Sequence, residues 1–160
     1  MWVIHFLPIN IKDFASKLLN NKLSFNANLA HSENISPACF FCLNASVLPA
    51  PKETASHFFL HCPIVSDMLS KYFQQFLINK NITWDNKFCI IGCPPEIKFE
   101  FASIINIEII TICHYIFKVK CSKKNLLFKN LSEYMTWMRS ILTWNRKYSL
   151  WWEGWQKVLP

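Results

Sequence analysis

Glycine is nearly missing from this chain, with two in 160 residues. A phosphate-cradling glycine loop needs more than that, so the nucleotide-binding loops are excluded. Acids are also few, ten against seventeen Lys and Arg. Carboxylates are too sparse to suggest the paired acid and base of many hydrolases. Charged residues make up only 17% and hydrophobic ones 52%, a balance that excludes disorder and permits a true core. Met1 to Pro8 has no charged leader and is too short for a signal peptide. An uninterrupted apolar run is missing as well. The longest candidate, Phe99 to Phe117, is broken by Glu100, Asn106, Glu108 and His114. A carboxylate at mid-membrane costs about 2.5–3.5 kcal/mol, so this stretch reads as a buried core helix and no membrane partner is expected.

What is present is cysteine, seven in all. An odd number without a leader argues against a disulfide scaffold. The thiols are expected to be reduced and the protein intracellular, nuclear or cytoplasmic. Cys39, Cys42, His57 and Cys62 form the pattern C-x2-C-x14-H-x4-C. Three thiolates and one imidazole are a complete tetrahedral set for one structural Zn2+. The CxxC turn brings two sulfurs to one side. The H-x4-C pair lies slightly more than one helical turn apart, which is expected to put both ligands on one face. Four protein ligands leave no open position for water or substrate, and the nearest acid, Glu53, stands in the loop before the histidine. The set therefore reads as a staple with no catalytic residue and no small-molecule substrate. His61 is a rival ligand, but adjacent residues on a helix point about 100° apart, so His61 and Cys62 do not share an ion easily. Cys89 and Cys93, with Cys113, His114 and Cys121, suggest a second site. Their apolar surroundings favour core packing instead.

The net charge is +7, and its placement is uneven. Lys118, Lys120, Lys123, Lys124, Lys129, Arg139, Arg146 and Lys147 stand in one thirty-residue segment with a single acid, Glu133. The rest of the chain balances nine basic against nine acidic residues. Such a segment either meets a polyanion or solvates an exposed helix face.

Apolar periodicity gives four helical patterns. The first follows Asn10 as a cap and carries Phe14, Leu18, Leu19 and Leu23. The second begins near Thr54 or after Pro63 and repeats apolar pairs from Ile64/Val65 to Phe76/Leu77. The third runs from Pro95 and Glu96 to about Lys120, and the fourth carries Leu127, Leu131, Tyr134, Met135, Met138, Ile141 and Leu142. Trp2 to Phe6 and Phe88 to Ile91 are the only short strand candidates, and neither alternates usefully. The expected fold is mostly α, a helical domain stapled by one CCHC zinc knuckle. Its segments are 1–38 (N-terminal helical), 39–63 (knuckle), 64–145 (helical core) and 146–160 (Trp-rich tail).

The run Cys39-Phe40-Phe41-Cys42, then Glu53-Thr54, His57-Phe58-Phe59-Leu60-His61-Cys62-Pro63, resembles the zinc-binding region near the C-terminus of non-LTR (LINE-type) retrotransposon reverse transcriptases. Looser likenesses are Leu7-Pro8 with Ile11 to Phe14, and Tyr115 to Lys120. No Tyr-x-Asp-Asp polymerase motif and no Pro-Asp…Asp endonuclease motif occurs. The resemblance thus implies the tail of such a protein and not its enzyme. The first expectation is a nucleic-acid-binding module of that origin, with RNA or DNA as partner, the basic segment on phosphates, and Trp144, Trp151, Trp152 or Trp155 either stacked on unpaired bases or packed against the third helix. The alternative is a structural or protein-interaction domain, docked on a reverse transcriptase core through its aromatic tail.

Overall fold

A computed structural model describes residues 7–30, 35–78, 80–93 and 95–157. The Trp2 to Phe6 strand candidate lies outside the described residues. The chain is mostly helical. In order come α1 (Ile9–Leu19), α2 (Asn26–Leu29), α3 (Phe40–Asn44), a π-helical turn (His57–His61), α4 (Pro63–Phe76), α5 (Phe88–Ile91), α6 (Phe99–Cys121), α7 (Phe128–Leu142) and α8 (Arg146–Lys157). Among the described residues the β structure is one isolated antiparallel bridge, Ala38 to Lys52. Phe88 to Ile91 is therefore a helical turn and not a strand.

The central element is α6. Its isoleucines at 104, 105, 107, 109, 110, 112 and 116 are all buried, so it is apolar on nearly every side and must be surrounded. It begins at Phe99 and not at Pro95, because Lys98 is still extended, with ψ 137°. Length and composition would let α6 cross a membrane, but 67% of its most apolar window is buried within the fold. The helices α1, α5, α7 and α8 all lie against it. Phe14 of α1 packs against His114 and Phe117. On α7, Tyr134 meets Tyr115 and Arg139 meets Glu108, so α7 runs antiparallel to α6. From α8, Trp151 reaches Phe99 and Trp155 reaches Phe101.

α4 starts at a proline, where the missing N–H costs nothing and the fixed φ suits a first turn. Its apolar stripe of Val65, Met68, Leu69, Tyr72 and Phe73 is buried, as the paired spacing implies. The Trp-rich segment is not a loose tail. It forms α8, with Trp155 only 4% exposed and stacked on Phe76. The four segments read from the sequence share one hydrophobic cluster running from Leu7 to Trp155.

One acid lies deep in that cluster. Glu108 takes a bidentate pair of hydrogen bonds from Arg139, both 2.8 Å, and a third from the Tyr72 hydroxyl at 2.5 Å. The guanidinium also lies over the rings of Phe76 and Trp152. Four elements are tied at this point. Removing one partner of a buried pair leaves an uncompensated charge, whereas removing both leaves none. Arg139→Met should lower the unfolding free energy by about 3 kcal/mol in urea titration. Adding Glu108→Gln should recover part of that loss.

Candidate metal centre

The four residues of the C-x2-C-x14-H-x4-C pattern come together. One donor atom from each of Cys39, Cys42, His57 and Cys62 lies within 4.8 Å of every other, and all four residues are buried. The Cys62 sulfur is 3.8 Å from that of Cys39 and 3.7 Å from that of Cys42. The Cys42 sulfur is 3.4 Å from Nε2 of His57. A tetrahedral ion with thiolate bonds of ~2.3 Å and an imidazole bond of ~2.0 Å requires sulfurs about 3.8 Å apart and sulfur to nitrogen about 3.5 Å. The donors are spaced to hold one metal ion. A disulfide would need about 2.05 Å, so these sulfur pairs are not disulfides.

Local structure explains how each donor gets there. Cys39 is the extended residue before α3, and Cys42 lies in that helix. The Cys42 backbone lies where it favours the Cys39 thiolate form. Cys62 is the residue at the N-terminal end of α4, and the backbone of that first turn, at Val65, favours its thiolate form. His57 depends on the π-helical turn. Residues five apart lie about 140° around a regular α-helix, so H-x4-C spacing does not by itself share a face. The His57 carbonyl instead accepts the Cys62 N–H at 2.6 Å, an i to i+5 bond that widens this turn. His61 in the same turn is exposed and stays outside the donor set.

Glu53, which sequence reasoning passed over, holds the centre in place. It is 0% exposed. Oε1 accepts the Asn26 N–H at 3.0 Å and pairs with Lys120 Nζ at 2.9 Å, while Oε2 accepts the Phe40 N–H at 2.9 Å. One carboxylate thus caps α2 and α3 and fixes both to the end of α6. Thr54 beside it accepts the His57 N–H through its hydroxyl at 3.1 Å and caps the histidine turn. Phe25 completes the junction by packing against Phe58, Phe59 and Phe117.

The donors' protonation follows from burial and from each other. The Cys39 thiol donates to Cys62, which raises Cys39 far above its ordinary value and lowers Cys62. Burial raises Cys42 and lowers His57. His57 is therefore held as the neutral imidazole that ligation needs.

The basic segment is redistributed by the fold. Lys120 is only 7% exposed and is consumed by Glu53 and by the Ser24 carbonyl at 2.9 Å. Arg139 is consumed by Glu108. Neither presents its charge to a polyanion, because each compensates a buried acid. Lys118, Lys123, Lys124 and Lys129 are exposed around the α6–α7 connection, beside the metal centre. Arg146 and Lys147 are exposed at the start of α8, where Lys147 covers Trp151 near Phe99. Lys118 and Phe99 lie roughly 28 Å apart along α6, so the single stretch of sequence becomes two separate groups. The tryptophans divide too. Trp155 and Trp152 stack on Phe76 and line a groove of about 580 Å3 with Tyr72 and Arg139. Trp144 is 88% exposed. Cys89 and Cys113 are both buried in the core and belong to no described metal-ligand group.

Two outcomes follow for stability. Glu53→Gln leaves Lys120 buried without its counter-charge and should cost about 3 kcal/mol in denaturant unfolding. In metal-free protein, His57 and His114 both have lowered values, chiefly from burial. The unfolded chain takes up protons on both near the ordinary 6.5, and the folded chain only below it. The urea midpoint should therefore fall between about pH 7 and about pH 5, losing stability as the solution becomes more acid.

Comparison of the chain with protein-family models, with curated proteins and with solved structures finds no match in any of the three.

Proposed function

We propose that this chain is a zinc-stapled, non-catalytic module that binds nucleic acid, akin to the C-terminal zinc-binding region of non-LTR retrotransposon reverse transcriptases. The observation that carries the reading is the juxtaposition of a closed Cys3His centre with an exposed lysine cluster on the same end of the fold. Three thiolates and an imidazole in tetrahedral array suit Zn2+, and a fully protein-ligated site is structural. When bound, the ion supplies a cross-link between α3, the π-helical turn and α4, and it keeps the thiols deprotonated. The chain supplies the rest. Glu53 and Lys120 lock that cross-link to α6, which fixes where Lys118, Lys123, Lys124 and Lys129 stand. Lys22 and Lys52, two residues from the Ser24 carbonyl and one from Glu53 respectively, are exposed near the same end. Such a surface attracts phosphates by counterion release and needs no pocket.

The Glu53-Thr54 and Cys62-Pro63 flanks support the likeness to the reverse transcriptase tail. Each has a physical task in the fold: an acid that caps and pairs, a hydroxyl that caps the histidine turn, and a proline at the first position of α4.

Metal analysis of purified protein should find one equivalent of zinc, lost on Cys42→Ser. A parent protein without metal would remove zinc from the account. Nucleic-acid affinity should fall steeply with added salt. Replacing Lys118, Lys123, Lys124 and Lys129 together by Ala should lower the slope of log K against log salt by up to about 3 to 4. A flat salt response in the parent would remove the polyanion.

A further inference from the structure

The outer face of α7 is unlike the rest of the surface. Its inner side, Leu131, Met135, Met138 and Leu142, is buried against the core. On the outer side a line of rings runs from α6 across α7. Tyr115 lies 4.8 Å from Tyr134, centroid to centroid, and Tyr134 lies 5.8 Å from Trp137. Trp137 is 56% exposed, and Trp144, in the turn just beyond the end of α7, is 88% exposed. Tyr134 to Leu142, the α7 part of this path, spans roughly 12 Å, and Trp144 follows it. Cations stand at both ends. Lys118 is one turn beyond Tyr115 on α6, with Lys123, Lys124 and Lys129 near it, and Arg146 and Lys147 follow Trp144 directly. The one acid in the segment, Glu133, is already beside Lys129 at 3.9 Å.

Exposed aromatic faces of this size cost solvation free energy unless something covers them. The cations at both ends select a polyanion as the cover, and ring faces select one whose bases are unstacked and available. We infer that the Tyr134–Trp137–Trp144 stripe is the path of an unpaired nucleic-acid strand, its bases stacking on the rings and its phosphates meeting the lysines at one end and Arg146 and Lys147 at the other. This rests on the nucleic-acid reading above and narrows it to single strands. A duplex keeps its bases stacked on each other and cannot use the rings, so it engages the cations alone.

The test is fluorescence anisotropy with a labelled unpaired oligoribonucleotide of about 10 nucleotides, alongside a duplex of the same length. The unpaired strand should bind more tightly. Trp137→Ala and Trp144→Ala should each weaken it by about 10-fold and leave duplex binding unchanged. Their salt slope should match the parent's, since neither ring touches a phosphate. Trp137→Phe should restore most of the affinity, and circular dichroism should show both alanine variants folded, since these rings lie outside the core. Equal binding of strand and duplex, unaffected by either alanine, would overturn the strand path while leaving the basic surface intact. Absence of salt-dependent binding to both probes would overturn the path together with the reading beneath it. A dimer in sedimentation that Trp137→Ala dissociates would assign the stripe to self-association and also overturn the proposal.

Discussion

Buried Glu53 is the constraint on which the arrangement of this protein depends. Its two oxygens serve two helix N-termini and one ammonium, and no part of it reaches solvent. A carboxylate in that position is tolerable only when its lone pairs are occupied and its charge is matched. Both conditions are met, and meeting them draws the knuckle, α2 and the end of α6 to one point. Among the described residues no hydrogen bond or ion pair joins a metal donor to α6. It is the Glu53–Lys120 pair and the Phe25, Phe58 and Phe117 rings that transmit the centre's position to the bundle.

A second buried acid repeats the logic about three turns earlier along α6. Glu108 binds Arg139 of α7 and Tyr72 of α4, and the guanidinium extends the contact to the α8 tryptophan Trp152. Each acid thus fixes elements distant in sequence. The cations they use come from the basic segment, so part of the chain's excess charge is structural and only the remainder faces outward. That division turns a featureless run of lysines into a surface with a location. It gathers beside the metal centre at one end and at the start of α8 at the other, with exposed rings between.

Much of this was legible. The donor set follows from thiol and imidazole chemistry with suitable spacing, because four such groups at those intervals have few other uses. The mostly helical class follows from apolar stripes at three- and four-residue steps, as in Val65 to Phe73. The reading missed what depends on partners far away in the chain. Lys120 and Arg139 look like any basic residue until Glu53 and Glu108 are placed against them. A signal was present in Glu108, an acid inside a helix otherwise apolar all round, which demands a buried cation. Trp137 drew no notice because it falls off the buried stripe of α7, which is the reason it is exposed.

Sequence alone determined the composition of the centre, the helical periodicities and the identity of α6 as the innermost element, because these rest on side-chain chemistry and local repeat. Tertiary structure decided the geometry. A π-helical turn was needed to bring His57 and Cys62 to one side, since an α-helix separates residues five apart by about 140°. It decided also which cations are spent inside and which tryptophans are covered. Burial and charge compensation are properties of the packed whole, and no local pattern of residues encodes them.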